Sequence, residues 1–184
     1  MSGALLMRAQ ARHNAWTNHR MLTACAALDA GQFSAPRQGF FPSLRATLNH
    51  ILIVDRFYAD ALEGGTLGPA AWAEPEPFED VASVHAAQAK LDRRLIAFCD
   101  ALDEAALARI IQVQRFQRVQ RERCDRLLLH MFQHQIHHRG QAHAMLGRAA
   151  PQLDEFYCFA EAPKRAREFA ALGYSEQDIW QEDR

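Results

Sequence analysis

The chain has almost no net charge: 21 Lys and Arg stand against 22 Asp and Glu, a formal −1 at neutral pH. That balance argues against nucleic acid or an anionic membrane surface as a partner. Arg115, Arg118, Arg121, Arg123 and Arg126 do cluster, but Glu122 and Asp125 dilute them, and the stretch reads as the solvated start of a helix. Paired cysteines are missing as well. Cys25, Cys99, Cys124 and Cys158 are widely spaced, form no CxxC, and follow no secretory signal, so reduced core thiols in a cytosolic protein are expected. No apolar run approaches the roughly 20 residues that cross a bilayer, and there is no repeat or low-complexity tract. The chain also lacks the Glu-x-x-His motif of carboxylate-bridged di-iron bundles. No Ser/His/Asp or Cys/His set has recognisable local spacing, and no general base stands out, because Asp55 falls on a different helix face from His50.

What the chain has is histidine, unevenly placed. Of nine histidines, five fall between His130 and His143, and His50 lies in a separate apolar segment. Residues four apart stack on one helix face, so His130, His134 and His138 form a ridge with metal-ligand spacing. Such a ridge is costly to bury unless each ring nitrogen has a partner, and a divalent ion is one that suits all of them. A lone histidine on an apolar face is usually a hydrogen-bonded core residue; three in register change the balance. His130 and His138 are separated by roughly 12 Å of helix rise and do not readily share one ion, so one of the three is a neighbour of the site. His137 and His143 leave the ridge and default to surface or interface roles.

At 184 residues with 49% hydrophobic and 23% charged residues, a single globular, soluble domain with a substantial core is expected. Residues 5–28 carry a helical pattern with His13, Trp16, Met21, Cys25 and Leu28 as inward positions, followed by a loop over residues 32–42. Ser43 caps a second helix running to about residue 62, with Ala46, Thr47, His50, Val54 and Phe57 on one face. Residues 64–77, holding three prolines and three glycines, read as loop. Asp80 caps the clearest helix, whose stripe is Val81, Val84, Gln88, Leu91, Leu95, Phe98 and Leu102. Residues 110–113 read as extended, and residues 116–119 as either a return segment or an early start to the next helix. The last long helix spans about residues 121–146, with a buried stripe of Leu127, Met131, His134, Gln135, His138, Ala142 and Met145, and ends at Gly147 and Pro151. In the tail, residues 166–172 and 175–180 suggest short helices around Gly173. The expected fold is all-α: a four-helix bundle with a long crossover loop over residues 1–163, and a helical extension over residues 164–184 packed on the same domain.

Three segments resemble the DinB family: Asn14-Ala-Trp-Thr-Asn18-His-Arg-Met-Leu22, Leu44-Arg-Ala-Thr-Leu48-Asn49-His50-Ile51-Leu52, and His130-Met-Phe-Gln-His134-Gln-Ile-His-His138-Arg139-Gly140-Gln141. The similarity spans roughly residues 5–155 and implies a DinB/YfiT-like metal-binding four-helix bundle, damage-inducible and distinct from the lesion-bypass polymerase of the same name. It implies a divalent ion, nickel or zinc, held by His50, His134 and His138, with His130 as a neighbour. Asn49 and Gln141 are candidates to orient ligating imidazoles, each competing with a plain role as a polar residue at a helix boundary. Arg139 is a candidate to steer an anionic substrate, with a helix-surface or subunit-contact role as the favoured reading. Three imidazoles leave an ion an open position, which suits an enzyme that activates a small thiol or water for attack on a small-molecule electrophile. The alternative is a non-catalytic, stress-induced protein whose metal is structural; a closed fourth position, for instance with His130 recruited, would mark that case. Family members commonly pair, so a homodimer is expected, with Trp16 and Phe57 as candidate contacts unless they belong to the core.

Overall fold

A computed structural model describes residues 2–154, 157 and 162–180. Four long helices make the body: α1 (Gly3–Ala26), α2 (Leu44–Leu62), α3 (Val81–Asp100) and, after a short α4 (Glu104–Ala108) and a hairpin of β1 (Ile110–Gln114) and β2 (Val119–Arg123), α5 (Cys124–Leu146). A further helix, α6 (Ala162–Ala171), follows. The architecture is a helical bundle. Helix α1 packs on α3 and α5, and α2 packs on α3 and α5, so each long helix touches two others around a closed ring.

Local chemistry sets the boundaries. Ser2, Ser43, Asp80 and Asp103 are extended residues whose side chains accept from backbone N–H groups of the first turns of α1, α2, α3 and α4. Helix α5 ends where Gly147 takes φ 55°, a conformation that disfavours any side chain.

Several expectations need correction. Residues 64–77 include a 3-10 turn, Gly68–Trp72, which Pro69 starts and which lays Trp72 against Phe57 with ring centroids 4.6 Å apart. The extended segment does return, pairing Ile110 with Arg123 through Gln114 with Val119, so α5 begins at Cys124 rather than near residue 121. Arg115, Arg118, Arg121 and Arg123 therefore decorate a hairpin, not a helix start. Trp16 and Phe57 are each 1% exposed and belong to the core, so they offer no surface to a second copy. The tail packs on α1: Phe169 and Ile179 bury against Ala9 and Trp16. Cys25, Cys99 and Cys124 are buried free thiols, and burial pushes the Cys25 thiol up to about 12; Cys158 lies outside the described residues. Among the described residues no helix is long and apolar enough to cross a membrane.

Where the four helices meet, the core is polar. The guanidinium of Arg139, 3% exposed, donates through Nη1 to Asn14 Oδ1 (2.6 Å), Asn18 Oδ1 (2.9 Å) and Gln135 Oε1 (2.9 Å). Asn18 Nδ2 donates to Asp92, Gln88 Nε2 donates to both Asp92 and Asp55, and Gln135 Nε2 donates to Asp55. Two carboxyls thus share one buried cation. Burial and the neighbouring Asp92 hold the Asp55 carboxyl well above the usual carboxylate range, and burial raises Asp92 to about 6 against the hydrogen bonds of Gln88 and Asn18.

This makes the core pH-sensitive with a definite sign. Below about pH 4 Asp92 is protonated whether folded or not and changes nothing. Between its unfolded value near 3.9 and about 6 the folded state holds the proton more tightly, so stability falls as pH rises, by about 3 kcal/mol in all. Asp92→Asn should therefore gain stability relative to the parent between pH 4 and pH 7, measured by denaturant unfolding of metal-free protein at both values. A difference between the two proteins that does not change with pH would contradict a raised Asp92.

Candidate metal centre

His50, on α2, and His134 and His138, one turn apart on α5, converge where these helices pack side by side. One potential ligand atom from each lies within 4.8 Å of the other two. His50 Nε2 is 3.1 Å from His134 Nε2, and the ring centroids of His134 and His138 are 4.4 Å apart. His138 is buried, at 7% exposure, while His50 and His134 are half-buried, so the cluster is desolvated but still reachable.

Electrostatics favour neutral rings. Burial, reinforced by His138, lowers His50 to about 4; burial, reinforced by the neighbouring imidazoles, lowers His134 to about 3; burial also lowers His138, opposed by Gln141. At neutral pH all three therefore carry a lone pair and have no proton to expel before binding a cation. The Gln141 Oε1 atom only accepts, so His138 Nδ1 donates to it (2.8 Å), which leaves Nε2 as the free donor atom of that ring. The amide of Gln141 in turn donates to His137 Nε2 (3.0 Å). His134 Nδ1 is buried with no hydrogen-bond partner among the described residues. The orphaned ring nitrogen is costly, and the His50–His134 contact is a hydrogen bond only when one ring carries its proton on Nε2 and the other does not. A divalent cation that takes up these lone pairs fits the donor set.

The other expected residues fall differently. His130 is exposed, 6.5 Å centroid to centroid from His134, and is not part of the cluster. Asn49 orients no imidazole. It is fully buried, its Nδ2 donates to the carbonyls of Arg45 and Phe78, and its Oδ1 accepts from Phe78 N–H, so it pins the segment entering α3 onto α2. Arg139 is neither a surface charge nor a subunit contact but the cation of the polar core, directed toward α1. His137 is exposed, and His143 Nε2 contacts the Pro151 carbonyl at 2.9 Å.

Two neighbours were not foreseen. Phe40 and Phe41, from the loop between α1 and α2, lie over the cluster: the Phe41 ring is 4.5 Å from that of His50 and 5.5 Å from that of His138, while Phe40 is 77% exposed. A Cβ on Gly39 would run into the Met145 methyl group, so this residue allows the loop to approach α5 closely. An aromatic pair preceded by glycine in a loop carries no periodic signal. No carboxylate hydrogen-bonds any of the three imidazoles among the described residues.

Comparison with curated proteins finds no match. A family model does match, and it covers nearly all of the bundle, including every histidine of the cluster: over residues 1–165 the chain belongs to the DinB family.

Proposed function

We propose that the chain is a divalent-metal-dependent enzyme whose three-histidine centre activates a small nucleophile, a low-molecular-weight thiol first and water second, for attack on a compact electrophile. The observation that carries the reading is a cluster of three donors, not four, at a half-buried position that ligands can reach. Bound there, a divalent ion supplies positive charge that lowers the pKa of a thiol or water toward neutrality. The chain supplies the rest. Gln141 fixes the tautomer of His138, and Phe40 and Phe41 exclude water from one side of the site. The carboxyls of Asp55 and Asp92 are committed to the polar core, so proton removal falls to the lowered pKa of the nucleophile itself.

The same reading places the protein among small-molecule enzymes rather than among nucleic-acid or membrane binders. A purely structural ion is the second reading, and exposed His130, held 6.5 Å from His134, weakens it because a fourth ligand is not at hand. Nickel and zinc both suit imidazole donors. Cobalt-loaded protein provides the test. Millimolar thiol should change its visible spectrum, and turnover of a small electrophile should vanish on chelation and return with metal. If thiols leave the spectrum unchanged and support no turnover of any electrophile, the thiol reading fails.

A further inference from the structure

One turn of α5 before His134 lies a recess of about 230 Å³ whose walls include Tyr58, Arg115, Glu122, Arg126 and His130. Its His130 wall precedes His134 by one turn of α5, and its Tyr58 wall belongs to α2, the helix that carries His50. The His130 ring is 6.5 Å from that of His134, and the Tyr58 ring is 5.3 Å from that of His130. Arg115 is unusual. It is half-buried, its guanidinium carbon sits 4.8 Å from the centroid of Phe57 and 5.7 Å from that of Tyr58, and its hydrogen bonds go to neutral groups, Gln120 Oε1 (3.0 Å) and Tyr58 Oη (3.2 Å). No carboxylate among the described residues forms an ion pair with Arg115 or Arg126. Two guanidiniums thus line the recess against one carboxylate, that of Glu122, which itself accepts from Gln120 Nε2 at 2.9 Å, while Asp125, outside the lining, also draws on Arg126. The recess has one net positive charge, and the guanidinium beneath it is already ordered by two rings and two hydrogen bonds, so little freedom is lost when it grips a ligand.

We infer that this recess binds the anionic end, carboxylate or phosphate, of the small molecule whose other end reaches the histidine centre. The inference rests on the reading of that centre as a ligand-binding site and adds a substrate class to it. Ring-to-ring steps of 6.5 and 5.3 Å mean that the ligand is several bonds long, closer to a short peptide than to a two-carbon thiol. Charge-assisted hydrogen bonds of this kind give a tenfold or greater preference for an anionic over a neutral ligand.

Two measurements on the full chain test it. In metal-free protein, titration with inorganic phosphate at constant ionic strength should shift the Arg115 and Arg126 Nε–H signals in NMR spectra saturably. Chloride should not, and in Arg115→Gln the Arg126 response should weaken at least tenfold. The exposed Arg126→Gln variant gives the converse reading should Arg115→Gln fold poorly. Absence of a saturable shift, or an unchanged response in the variants, overturns the recess as an anion site. In cobalt-loaded protein, mercaptohexanoate should bind at least tenfold more tightly than mercaptohexanol, and Arg115→Gln should erase most of that difference. Equal affinities in the parent protein overturn the link between recess and centre. A spectrum unmoved by either thiol counts instead against the thiol reading of the centre, and the phosphate titration then decides the recess alone.

Discussion

Replacing His50 with alanine should cost the protein its divalent ion, although His134 and His138 remain one turn apart on α5. Two imidazoles on one helix bind transition ions weakly, and a third donor, from α2, would fix the position of an ion held there and link two helices. The loss expected for any of the three is larger than the about 10–100-fold that follows removal of an outer partner, and that smaller range is the expectation for Gln141→Ala, which frees the His138 ring. His137→Ala should leave metal content intact, since this exposed ring gives no ligand atom to the cluster and touches it only edge-on at His138, 4.8 Å centroid to centroid, and through the Gln141 amide. Metal analysis of untagged protein reads all of these variants. Full occupancy in His50→Ala would remove the assignment. The pH dependence has a definite sign: with free imidazoles held down to about 3 and 4, uptake should persist well below pH 6 and fail only as those rings protonate.

Arg139→Met should destabilise the fold by about 3–5 kcal/mol at pH 7, the cost of leaving a buried charge without its partner. Burial lowers this guanidinium only to about 10, so it is charged throughout the physiological range. Its removal strands Asp92 and leaves the side-chain oxygens of Asn14, Asn18 and Gln135 without their donor. The deficit should shrink toward pH 5, where Asp92 takes up a proton, and Asp92→Asn should recover part of it. Urea unfolding of metal-free protein at both pH values measures this. A loss below about 1 kcal/mol would show that the network is not held by its cation.

The helices and their caps are legible in the sequence because they are local: Ser43 and Asp80 precede apolar stripes and accept the bonds their side chains offer. The histidine ridge is legible by spacing on α5, but spacing alone left open which pair faces His50; the family resemblance narrowed it, and packing of α2 on α5 brings His134 and His138 to that residue. The polar core was half visible. Gln88 sat on a stripe otherwise apolar, Gln135 beside the histidines of another, and Asn14 and Asn18 lay four apart, yet nothing local says that Arg139 joins the two asparagines from 125 and 121 residues away. The arginine-rich stretch misled for a related reason: charge count suggested a solvated helix, whereas pairing of β1 with β2, and the Phe57 and Tyr58 rings beneath Arg115, are long-range facts. The covering aromatics, Phe40 and Phe41, belong to a loop with no period to read.

The separation of His50 from His134, 84 residues along the chain, bears on the order in which the molecule is made. As the ribosome extends the chain from its N-terminus, α1, α2 and α3 emerge first, and the contacts of α1 with α3 involve no residue of α5. During that interval the face of α2 that later meets α5 is open to solvent, and His50 is a lone imidazole able to hold an ion only weakly. An ion held by all three histidines would therefore enter only after α5 has been synthesised and has docked. Closing a loop of this size costs entropy that grows only logarithmically with length, so the 84-residue separation is by itself a modest obstacle to docking of α5. A chain stalled short of His134 would be an α-helical intermediate with an unpaired apolar face and no metal to hold it, which makes the last third of the chain the part whose delay is most hazardous to the rest.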